Sequence, residues 1–151
     1  PTYGKTISYP NESQVFSILK LENGITGPLS VNGDSTIQDQ AHFMIYGKKG
    51  ILKLSDPNTF GGDVIYLPAQ KDFKDHPAPQ ILNYGFSYSE NSRGLGPSEM
   101  ADAIFVKRTN RANAELAVHE LDVIDHMVES SEKCAFVQVD STCTRPEPMP
   151  L

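Results

Sequence analysis

The chain has 151 residues, 38% of them hydrophobic and 21% charged, and a net charge of -6. That size and balance suit one folded domain rather than a disordered segment, and the scattered Lys and Arg exclude the basic face of a nucleic-acid binder. No run approaches the roughly 18 apolar residues of a membrane span, and no basic stretch followed by an apolar one marks a leader, so a cytoplasmic protein is expected.

Residues 14–21, QVFSILKL, are rich in β-branched and aromatic side chains and predict a strand. ENG at 22–24 turns the chain, and ITGPLSVNG at 25–33 predicts the partner strand of a hairpin. Pro28 deletes a ladder donor there, which places that strand at an edge or gives it a bulge. AHFMIYG (41–47) and GILKL (50–54) flank the turn GKKG as a second hairpin, and DVIYL (63–67) follows the polar loop SDPNTFGG. Residues 68–88 carry Pro68, Pro77 and Pro79 and read as irregular, apart from a short strand near Ile81 and Leu82.

SENSRGLGPSEMADAI (89–104) raises the question of a phosphate cradle, because a glycine-bearing turn leads into a helix. A dinucleotide fingerprint needs a small residue where Glu99 stands, and Glu99 would repel a pyrophosphate. Pro97 also removes one amide, so Gly94 and Gly96 read as a helix start and no cofactor is expected in this chain. Pro97 suits a first helical turn, with Glu99 near the positive end of the dipole. Met100, Ala101, Ile104 and Phe105 make an apolar stripe on this helix. A longer helix starts near Ala112 or Asn113, with Ala117, Leu121, Ile124 and Val128 at 4-3-4 spacing, joined by Leu116, Val123 and Met127. FVQV (136–139) predicts a last strand, and 141–151 is a Pro-rich tail without regular structure.

Strands, then helices, then one strand predict an α+β fold, with an open, largely antiparallel or mixed β-sheet and helices packed on one face. The predicted sheet has five or six strands. In the first strand both alternating sets are apolar, Val15 and Leu19 against Phe16 and Ile18. The third strand repeats this with Phe43 and Ile45 against Met44 and Tyr46. Two helices cover one face of such a sheet, so the other face is expected to serve oligomerisation, as a homodimer or tetramer. Cys134 and Cys143 read as reduced thiols. His42, His76, His119 and His126 lack metal-ligand spacing, His119 reads as a packing histidine, and Asp122, Asp125 and Glu129 as a solvated helix face. No metal site and no catalytic set stands out from the residues alone.

Five motifs in order carry a resemblance: LENGITGPLSVNGD, IYGKKGILKLSDPNTFGGDV, SENSRGLGPSEMADAI, NRANAELAVHELDVIDHMVESSE and STCTRP. Together, over about residues 13–146, the chain resembles the C-terminal domain of the Gfo/Idh/MocA oxidoreductases, relatives of glucose–fructose oxidoreductase and inositol dehydrogenase. The resemblance implies that residues 1–151 are the substrate and oligomerisation domain of a two-domain enzyme. Its N-terminal Rossmann domain would bind NAD or NADP and carry the catalytic Lys, Asp and His, all upstream of this segment. The implied reaction oxidises a hydroxyl of a sugar, polyol or related compound, and the chain alone would be inactive. The family's PHRASGEL reads TNRANAEL here: Asn110 replaces His and Ala114 replaces Gly, while Arg111, Glu115 and His119 match. Arg111 and Glu115 are expected to form an ion pair inside the domain. Asn91 and Arg93, in the turn before the first helix, and Asn58, in the other glycine-bearing loop, are the substrate-cleft candidates. The alternative of another class is a stand-alone dimeric interaction or carbohydrate-binding module.

Overall fold

A computed structural model describes residues 4, 8, 10–33, 43–57, 60–82 and 92–149. The chain divides into two compact units, Pro1–Gln40 and Ala41–Leu151. In the first unit, β1 (Gln14–Lys20) and β2 (Thr26–Asn32) pair antiparallel. Their loop is Glu22–Asn23–Gly24, closed by Gly24 N–H donating to the Leu21 carbonyl at 2.9 Å and Leu21 N–H donating to that of Ile25 at 2.8 Å. Gly24 takes the left-handed conformation (φ 85°) that such a three-residue hairpin loop needs. Pro28 stands opposite Ile18. Among the described residues β1 and β2 have no further strand beside them, so both are edges and the missing donor is tolerated.

The second unit holds β3 (Phe43–Gly47), β4 (Gly50–Leu54), β5 (Val64–Pro68) and β6 (Gln80–Leu82), in that spatial order and antiparallel throughout. The fold is therefore α+β, but the expected five or six strands split into sheets of two and four. Among the described residues the β1–β2 ribbon has two strands. The β3–β4 turn is Lys48–Lys49, and neither residue has a positive φ. Two-residue hairpin turns usually take one or two positive φ values, and here the departure falls on Gly50, at φ 148°. Tyr66 buttresses this turn, its hydroxyl donating to the Lys49 carbonyl at 2.7 Å.

Register assigns the faces of the four-stranded sheet. Phe43, Ile45, Leu52, Leu54 and Tyr66 share one; Met44, Tyr46, Ile51, Ile65, Leu67 and Ile81 share the other, with Lys53. An antiparallel sheet with a solvated face alternates apolar and polar residues, and this one is apolar on both. Each face leaves large side chains exposed: Phe43 and Ile45 on the first, Tyr46 and Ile81 on the second.

Two helices follow, α1 (Leu95–Phe105) and α2 (Ala114–Lys133). Asn113 caps α2, its side-chain oxygen accepting from Leu116 N–H at 2.9 Å, with Glu115 in the first turn. Each helix ends on a non-glycine residue in the left-handed region, Lys107 (φ 57°) and Cys134 (φ 50°). Arg108 N–H reaches back to the Ala103 carbonyl, and Ala135 N–H to that of Ser130, closing both ends as Schellman motifs.

The apolar stripes read from the sequence divide: that of α1 is exposed, while that of α2 is split, with Leu116, Val123 and Met127 half-buried. On α1, Met100, Ile104 and Phe105 are exposed, while Leu95, Glu99 and Ala103 form the inward row. On α2, Leu121, Ile124 and Val128 are exposed, and Leu116, His119, Val123, His126 and Met127 are half-buried. The inward sides are those that Glu99 ties to the following loop and that residues 136–149 lie along. Among the described residues, Ala103 is the one buried hydrophobic side chain. The strand expected over 136–139 is absent. Its alternation is real, with Val137 and Val139 inward and Phe136 and Gln138 exposed, but no strand among the described residues pairs with it to form a ladder.

Candidate functional site

Among the described residues, a polar cluster is built where α1 turns back toward α2. The left-handed Lys107 reverses the chain, and Arg108 returns beside the helix it has just left. Its guanidinium binds Glu99 Oε1 through Nη1 and Asp102 Oδ2 through Nη2, the latter at 2.9 Å. Arg111 then closes on the same carboxylate: Nη1 lies 2.8 Å from Glu99 Oε1, and its backbone N–H donates to Oε2 at 3.1 Å. The remaining edge of Arg111 is also filled, Nε donating to the Glu147 carbonyl at 2.8 Å and Nη2 to that of Pro148 at 3.0 Å.

Glu99 is the buried member, its side chain 8% exposed against 32% for Arg108 and 21% for Arg111. The Arg108 hydrogen bond pulls its carboxyl below the ordinary glutamate value, burial opposes this, and the Arg111 amide and guanidinium add to it. The same contact raises Arg108. An open cleft lies over this cluster, lined by Ser98, Glu99, Asp102, both arginines and Met149. A carboxylate held ionised between two arginines has no proton to give and little tendency to accept one. This arrangement positions and neutralises; it does not perform acid–base chemistry. Of the groups lining the cleft, Ser98 is exposed and Asp102, whose Oδ2 accepts from Arg108, has its side chain 64% exposed.

The second cluster lies along α2. Ser141 Oγ and His119 Nδ1 are 2.8 Å apart, and Ser141 N–H donates to Asp122 Oδ2 at 2.9 Å. His126 Nδ1 donates to the Asp122 carbonyl at 2.7 Å and lies 3.2 Å from Asp122 Oδ1, with Glu129 Oε2 3.8 Å from its Nε2. Serine, histidine and aspartate meet here in the wrong order for a nucleophile. In a triad the imidazole stands between serine and carboxylate. Asp122 instead takes the amide of Ser141 itself, so the cluster fastens a segment.

Glu115 does not pair with Arg111 as expected. Its Oε1 accepts the Thr144 amide at 2.9 Å, while Arg111 is committed to Glu99. Arg93 is exposed in the turn before α1 and makes no ion pair among the described residues. Asn58, Asn91 and His42 lie outside the described residues. Cys134 and Cys143 are both free thiols. No group of three metal-ligating side chains occurs among the described residues, and no helix there is long and apolar enough to cross a membrane.

Sequence reasoning missed the Glu99–Arg108–Arg111 cluster. The available signal was Leu95, Glu99 and Ala103 at i, i+4 and i+8, a carboxylate on a row that otherwise faces inward. It also missed the fastening of 136–149, where the alternation of Val137 and Val139 continues through Ser141 and Cys143. Compared with protein families, curated proteins and solved structures, the chain finds no match in any of the three.

Proposed function

We propose that the chain is the substrate-binding and oligomerisation domain of an NAD- or NADP-dependent oxidoreductase acting on a sugar, polyol or related hydroxyl compound. The succession of five motifs in fixed order carries this reading. Two of them, SENSRGLGPSEMADAI and NRANAEL, are joined through Glu99 and Arg111, which supports treating them as one structural unit. Hydride transfer needs a nicotinamide held against the substrate carbon and an acid–base group at the hydroxyl. In this reading another domain supplies both. The present chain shapes the polyol side of the cleft, with Asn58, Asn91 and Arg93 as its candidate contacts, and works in a homodimer or tetramer in the cytoplasm.

A spectrophotometric assay on the product of the complete gene tests the proposal. Reduction of NAD+ or NADP+ is expected with at least one sugar or polyol, and none is expected from these 151 residues alone. A complete product without nicotinamide-dependent turnover on any such substrate would refute it. So would a stoichiometric NADH site on the isolated chain, detected by calorimetry.

A further inference from the structure

The 20-residue helix α2 carries apolar side chains on two faces. One face, with the half-buried Leu116, Val123 and Met127, belongs to the side that holds residues 136–149: Asp122 takes the Ser141 amide and Glu115 that of Thr144. The other is a row that advances by alternate steps of three and four, through Ala114, Ala117, Leu121, Ile124, Val128 and Ser131. Such a row lines one side of a helix, and all six of its members are exposed. A helix seated on one side needs apolar residues on that side only. The second row is surplus to the packing of α2 and leaves Leu121, Ile124 and Val128 in water.

The edges of this row are acidic. Asp125 and Glu132 stand one position beyond Ile124 and Ser131 on one edge, in line with Val118, and Glu120 stands one position before Leu121 on the other. These carboxylates are exposed, and none of them enters an ion pair among the described residues. The basic side chains of α2 lie elsewhere. Lys133 is bound by Glu129, while His119 meets Ser141 and His126 meets the Asp122 carbonyl on the half-buried side.

This charge pattern disfavours a second copy on the row and favours a basic partner. In a parallel pair of α2 helices, Glu120 of one copy would lie beside Asp125 of the other; in an antiparallel pair each acidic edge would meet itself. Both arrangements set carboxylate against carboxylate. The row covers fewer than three heptads, too short for a free-standing coiled coil but long enough for one docked helix read through anchors spaced three and four apart. We propose that the outer row of α2 is the docking face for a partner chain carrying an amphipathic helix whose apolar stripe is edged by Lys or Arg. The apolar row supplies the buried contact, and Glu120, Asp125 and Glu132 select the partner by charge.

Two synthetic helical peptides of about three heptads test this, each with Ile and Leu in the same alternating row, one edged by Lys and the other by Glu. Fluorescence anisotropy follows each labelled peptide as the whole chain is added. At low salt the lysine-edged peptide should bind at least about tenfold more tightly than the glutamate-edged one, and the difference should shrink toward about 0.5 M salt as the charges are screened. Leu121→Gln, at a side chain 62% exposed, should weaken the lysine-edged peptide by about tenfold while the chain keeps its melting temperature. Glu120→Lys combined with Asp125→Lys should reverse the preference between the peptides. Equal binding of the two peptides, no binding of either, or binding that survives Leu121→Gln would overturn the proposal. So would a dimer of the chain that Leu121→Gln converts to a monomer, since a second copy would then occupy the face.

Discussion

Two glycines in this chain look alike in sequence and differ in what their backbones require. Gly50 sits at φ 148°, and a Cβ built there would stand 2.3 Å from the Leu67 carbonyl oxygen and 2.7 Å from the Tyr66 ring. Backbone cannot yield at that distance, so Gly50→Ala should destabilise the chain by more than about 1 kcal/mol. Gly96 lies in the first turn of α1 with open space for 4 Å around the position a Cβ would take, and its φ is not positive. Gly96→Ala should therefore leave stability unchanged or raise it by up to about 1 kcal/mol, because alanine loses less backbone entropy in a helix. Urea titration of both variants separates the cases. A loss at Gly96 as large as that at Gly50 would show that the glycine is needed for close approach of something, which a phosphate cradle would require and a helix start does not.

At the scale of elements, α1 and the loop after it are tied by one carboxylate. Its lowered pKa fixes the sign of the acid response: the contribution of Glu99 is present above its ordinary value of 4.5 and is lost as pH falls through the lowered one. Glu99→Gln should melt below the unaltered chain near neutral pH, and the two curves should converge in acid, as circular dichroism at a series of pH values will show. Parallel melting curves down to about pH 3 would contradict the account of the cluster. Most of the elements themselves were legible in the sequence. The β1–β2 and β3–β4 hairpins announced themselves through ENG and GKKG between apolar runs, and Asn113 marked the start of α2. What pairs with what was less legible. The 136–139 alternation is that of a strand, but alternation reports a half-buried extended segment and says nothing of whether its cover is a strand or a helix. The α1 stripe, and half of the α2 set, failed for a related reason. Hydrophobic spacing identifies the face that benefits from burial, whereas the inward faces here are set by Glu99 with its arginines and by residues 136–149 along α2. The candidate site was legible least, since Arg108 and Arg111 reach Glu99 across nine and twelve residues through a chain reversal at Lys107 that no local pattern encodes.

At the scale of the whole molecule, large apolar side chains are left exposed on several faces of the described residues. Phe16 and Ile18 on β1, both faces of the β3–β6 sheet, and the outer rows of α1 and α2 all expose large hydrophobic side chains, with Phe105 85% and Tyr46 72% accessible. Patches beyond a few hundred Å² are rare on proteins that work as monomers. At about 25 cal/mol per Å², covering about 400 Å² of one such face is worth on the order of 10 kcal/mol per subunit before the costs of association. A two-fold contact between identical faces is the commonest way for a chain to cover itself. The proposal that such faces serve as interfaces is central to the account, and light scattering after gel filtration, joined to hydrogen exchange on the same sample, tests it most directly. The account predicts a dimer or tetramer at tens of micromolar, with the β3–β5 amides protected beyond what their ladder alone gives. A monodisperse monomer at that concentration, with those strands exchanging freely, would contradict it.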